Sequence, residues 1–143
     1  MPTLNQVRGL PQIQACEALA VSRRLTDAEV FLLMGCVHVG KSPELRVFWR
    51  GTIERRPSIA RPLQEAGTTA AGTIESLIGK RFLLKAGLGK VQTSQDADIV
   101  RHRFTILQAH LRLRGTIPAT GNSPSHVPIL CDYMRRVCDG IPF

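Results

Sequence analysis

Residues 35 to 42 read GCVHVGKS, which fits the G-x-x-x-x-G-K-S spacing of a phosphate-cradling loop. That chemistry needs a strand running into the first glycine and a helix beginning at the Lys-Ser pair. EVFLLMG, just upstream, could be the strand. Thr26 and Glu29, however, stand at the spacing of a helix-starting capping box, with Leu25 and Val30 at the staple positions on either side. Pro43 follows Ser42, and no later strand ends in the aspartate that a nucleotide site would use. Gly35–Ser42 therefore stands as an alternative nucleotide-binding reading, subordinate to the one developed below.

The remaining reactive residue types point away from catalysis. His38, His102, His110 and His126 have no nucleophile or carboxylate close in sequence, and no H-E-x-x-H or dinucleotide fingerprint occurs. The chain reads as a binding protein, not an enzyme, with no cofactor. Cys16, Cys36, Cys131 and Cys138 form no C-x-x-C pair and no Cys-His spacing of a zinc site. Cys131 and Cys138 fall two turns apart on one helix face. The expectation is four free thiols used for packing.

Net charge is +8 and the isoelectric point is near 10.2, a balance that favours polyanionic partners, nucleic acid foremost. Hydrophobic and charged fractions are those of a globular chain, and no apolar run reaches the roughly 18 residues of a membrane span. The N-terminus lacks the charged start and apolar middle of a secretory signal. One cytoplasmic domain over 1–143, with no membrane partner, is expected.

The elements follow from periodicity. PQIQACEALAV reads as a helix with Pro11 at its first position. The capped helix after Thr26 is apolar on nearly all faces from Val30 to Val37 and should be central; Gly40 and Pro43 should end it. Around residues 44–56 the alternation of Leu45, Val47 and Trp49 suggests a strand, and Gly51 should interrupt any helix. Trp49 is expected in the core. SIARPLQEAG gives a short helix, either starting near Arg61 or bent at Pro62.

At about 100° per residue, Ala70, Ala71, Ile74, Leu77 and Ile78 fall on one side of a helix over 69–80. Thr69, Gly72, Thr73, Ser76 and Lys80 fall on the other. KRFLLKAG then reads as a strand, followed by a polar turn-rich tip. IVRHRFTIL alternates as a second strand, although helical spacing from Asp96 to Arg114 competes. A Pro/Gly/Ser-rich loop precedes a last helix that begins around Ser125 or Pro128 and ends by Gly140.

From Leu25 to about Leu107 this order resembles a winged helix-turn-helix, most closely the MarR-type regulators. The residues that carry the likeness are Ile59-Ala60, Leu63, Thr69-Ala70, Ile74, Leu77 and Phe82-Leu83, with Arg81 where the family places a glycine. The resemblance implies a mainly α fold with a small β-hairpin (α+β): a winged-helix core over 25–107, flanked by segments 1–24 and 108–143 that would form a homodimer.

It further implies sequence-specific double-stranded DNA binding in transcription regulation. The second helix would enter the major groove, presenting Thr68, Thr69, Gly72, Thr73, Ser76 and Lys80. Lys85, Lys90, Arg101 and Arg103 on the wing would meet phosphates or the minor groove. A small-molecule effector is common in that family. A basic subunit of a ribonucleoprotein or other assembly, docking RNA or protein through a winged helix, is the alternative.

Overall fold

The computed structural model of the chain describes residues 10–36, 39 and 45–141. Among them are helices α1 (Gln12–Ser22) and α2 (Asp27–Cys36), strand β1 (Val47–Trp49), and helices α3 (Arg50–Arg55), α4 (Pro57–Glu65) and α5 (Ala70–Gly79). Strands β2 (Leu83–Lys85) and β3 (Lys90–Thr93) follow, then the long helix α6 (Gln95–Leu113), a 3-10 turn at Pro124–His126 and helix α7 (Val127–Cys138). The fold is mainly helical with one small antiparallel sheet of order β1-β3-β2.

Helix α2 forms where the capping box lies. The Thr26 N–H donates to Glu29 Oε1 at 2.7 Å, and the Glu29 N–H donates back to Thr26 Oγ1 at 3.2 Å. Val30 to Met34 are all buried, so α2 is the central element, packed against α4, α5, α6 and α7. Gly35 and Cys36 belong to this helix, so EVFLLMG is not the strand that a phosphate-cradling loop requires. Gly40 and Pro43, expected to end it, and the rest of the loop motif apart from Val39 lie outside the described residues.

Residues 99–107 are helix, not the second wing strand. Ser94 caps α6 by accepting from the Ala97 N–H at 3.2 Å, and Asp96 and Asp98 occupy the first turn, where carboxylates suit the helix dipole. Val100, Phe104, Leu107 and Leu111 then form one buried stripe at helical spacing. The hairpin is accordingly short. Its return strand is Lys90–Thr93, inside the stretch that reads as a polar tip, with Leu83 opposite Thr93 and Lys85 opposite Val91. β1 pairs on the outer side of β3, Val47 facing Gln92 and Trp49 facing Lys90.

Three further expectations are corrected. Gly51 sits inside helix α3 instead of preventing it. Helix α4 begins at Pro57, not near Arg61, and continues through Pro62. Trp49 is 58% exposed, because Phe48 is the residue of β1 that turns to the core.

Helices α1 and α7 lie along each other and against α6. Their contact brings Cys16 to Cys138, 122 residues away, in a disulfide. The expectation of four free thiols therefore holds only for Cys36 and Cys131. Burial pushes the Cys36 thiol up to about 12, against a smaller opposing pull from Arg101. Among the described residues no helix is long and apolar enough to cross a membrane.

Candidate nucleic-acid interface

Helices α4 and α5 are joined by a tight turn. At the end of α4 the Gly67 N–H donates to Gln64 O at 3.0 Å and the Thr68 N–H donates to Leu63 O at 3.0 Å. This paired closure needs a left-handed residue just past the helix, and Gly67 supplies it with φ 83°. Thr69 then caps α5 by accepting from the Gly72 N–H at 3.0 Å. Ile59, Leu63, Ile74 and Leu77 are fully buried between the two helices and the central α2. Ala70 is buried, whereas Ala71, assigned by the wheel to the core side, is exposed.

The polar side of α5 divides in two. Thr73 is buried, and its hydroxyl donates to the Thr69 carbonyl at 2.7 Å. The Ser76 hydroxyl donates to Glu29 Oε2 at 2.7 Å, and the Lys80 ammonium donates to Glu29 Oε1 at 2.6 Å. These three groups are spent within the chain, tying α5 to α2 and to itself. Their expected base contacts do not follow from where they lie. What α5 turns to solvent is Thr69, Ala71, Gly72, Glu75, Ser76 and Gly79, with Thr68 half-exposed before it.

Glu75 is the only carboxylate on α5, and Arg50 answers it at 3.3 Å. The same guanidinium holds Glu54 at 2.6 Å and reaches the Ala71 carbonyl at 3.4 Å. The hydrogen bond to Glu54, with a further one to Glu75, raises Arg50's pKa against the cost of desolvation. Arg50 thus pairs the one carboxylate on α5 while sharing its single charge with Glu54.

Of the four residues expected on the hairpin, two lie there. Lys85 is exposed, and Lys90 is half-exposed with its ammonium 4.6 Å from the centre of the Trp49 ring. The tip between them carries Gly87 at φ 113° and Gly89 at φ 73°, with Leu88 97% exposed. Arg101 is not a surface residue. Its side chain is fully buried, donating to Asp98 Oδ1 at 2.8 Å and to the Leu45 carbonyl at 2.7 Å. Arg103 donates to Glu17 at 2.9 Å and to the Gln14 carbonyl at 3.2 Å, fastening α6 to α1. Both are structural because they sit on a helix that crosses the core, not on a strand of the hairpin.

Sequence reasoning missed Trp49 as a surface aromatic and Arg50 as the partner of α5. The cross-strand alternation around Phe48 carries the first signal; nothing local carries the second. Exposed cations without an acidic partner among the described residues include Arg23, Arg55, Arg61 and Arg81, besides Lys85, and Arg56 is half-exposed. No family model, curated protein or solved structure matches the chain.

Proposed function

We propose that the chain is a winged-helix protein that binds double-stranded DNA as a homodimer and regulates transcription. The order α2, β1, α4, α5, β2, β3 and the sheet order β1-β3-β2 support a helix-turn-helix followed by a wing. One observation carries the reading. The open N-terminal turn of α5, bearing Thr68, Thr69 and Gly72, is followed, after the rest of the helix to Gly79 and a short link, by a hairpin bearing Lys85 and Lys90. A helix N-terminus favours a phosphate, Thr hydroxyls and methyls suit base edges, and lysines on a hairpin suit the backbone alongside. MarR-like architecture is the nearest resemblance, with Arg81 occupying the wing-entry position.

Homodimerisation through the flanking elements draws support from their outer surfaces. Ile13 is 77% and Leu113 72% exposed, and Ile106, Ile129 and Ile141 are also open. These residues lie on or beside α1, α6 and α7, whose inner faces are already used within the chain.

The test is binding of the full chain to duplexes selected from a random pool. Recovery of an inverted repeat, with affinity falling steeply as salt rises, is the expected result. A flat salt response, or equal affinity for single-stranded RNA, overturns the reading. The second outcome would favour the alternative of a ribonucleoprotein subunit, for which the exposed Trp49 ring beside Lys90 is the specific observation.

A further inference from the structure

A cavity of about 450 Å³ opens between α2, α4, α6 and the segment around Gly121, and no residue of α5 lines it among those described. Phe31, Pro57 and Pro62 give it apolar walls, and Arg61, Arg112 and Gln108 give it polar ones. Among the described residues no carboxylate lines it. Arg61 has no ion pair or hydrogen bond among the described residues.

Arg112 is held in place: its Nη2 donates to the Gly121 carbonyl at 2.7 Å. Its Nε is buried and has no hydrogen-bond partner among the described residues. Gln108 is fixed too, donating to Asn122 Oδ1 at 2.9 Å. Pro57 and Ser58, the first residues of α4, also line the cavity, so the positive end of that nine-residue helix borders it.

We infer that this cavity binds a small organic phosphate monoester. Two guanidiniums, with no carboxylate beside them among the described residues, call for about two negative charges, which one phosphate monoester carries near neutral pH and one carboxylate does not. Guanidiniums match phosphate geometry through paired N–H donors, and a helix N-terminus adds its own attraction. The apolar walls take the organic body. This site is separate from the α5–hairpin surface and does not depend on the duplex-binding reading.

The test titrates phenyl phosphate, benzoate and inorganic phosphate into the full chain by calorimetry at physiological salt. Phenyl phosphate is expected to bind at one site per chain, more tightly than either of the others. Arg61→Gln and Arg112→Gln should each weaken it about tenfold, the size of one lost charge-assisted contact. Lys85→Gln should leave it unchanged. Arg61 is exposed and supports no other residue, so its variant keeps the fold and decides the matter even if Arg112→Gln melts early. Absence of saturable binding overturns the inference. So does benzoate binding as tightly as phenyl phosphate, or equal weakening by Lys85→Gln, which would mean attraction to basic surface in general.

Discussion

The Lys80 ammonium stands 2.6 Å from Oε1 of Glu29, a carboxylate whose side chain is 2% exposed. One group thereby serves two elements, since the same oxygen accepts the Thr26 N–H that starts α2 while the other accepts from Ser76 of α5. The proposed groove-facing helix is thus anchored by a single buried charge.

Burial alone would push the Glu29 carboxyl up; Lys80, the Thr26 N–H and Ser76 together outweigh it and hold the pKa below its ordinary 4.5. A lowered folded-state pKa adds stability that is fully present above the unfolded value and lost as pH falls through the folded one. Urea denaturation should therefore show stability dropping below about pH 4.5, and Glu29→Gln should flatten that acid limb. Lys80→Met at neutral pH should cost about 2 kcal/mol, less than for a fully buried pair because Lys80 itself is 35% exposed.

Arg81 ends α5 in the left-handed conformation at φ 65°, the only non-glycine residue with positive φ among those described. It closes the same paired motif that Gly67 closes for α4: its N–H donates to Ile78 O, and the Phe82 N–H donates to Leu77 O at 2.9 Å. A side chain in that conformation costs about 1–2 kcal/mol, part of which glycine returns as unfolded-state entropy. Arg81→Gly should raise stability by about 1 kcal/mol in chemical denaturation. No gain would mean that the exposed guanidinium makes up for the strain.

Arg101→Ala should behave as a core mutation, not as a loss of DNA affinity. It would leave Asp98 short of a partner and the Leu45 carbonyl without its donor, at about 3 kcal/mol. Lys85→Ala, by contrast, should leave the thermal midpoint within error and lower the slope of log affinity against log salt by about one. Measuring both quantities for both variants separates the two roles.

Reduction should lower the thermal midpoint markedly. The Cys16–Cys138 bond closes a separation of 122 residues, for which chain entropy predicts about 5 kcal/mol. Cys16→Ser with Cys138→Ser should reproduce the effect without reductant. In the folded oxidised protein Cys36 should resist alkylation near pH 8, because its thiol is buried and its pKa is pushed up to about 12.

Local chemistry was legible in the sequence wherever neighbours in the chain decide it. The Thr26–Glu29 box and the apolar run of α2 rest on residues within five positions of one another. The α4–turn–α5 order and the net charge of +8 came with them. Residues 99–107 satisfied period 2 and period 3.6 at once, and only the core around Phe104 chose the helix. Alternation placed Val47 and Trp49 on one face of β1 but could not say which face the core would cover. Tertiary packing alone set Ser76 and Lys80 against Glu29, buried Arg101 beneath Leu45 and brought Cys16 to Cys138. A hydroxyl or a cation reads as outward on a helical wheel because the wheel knows only its own helix. Whether a buried partner waits on the next element is settled by how the elements cross.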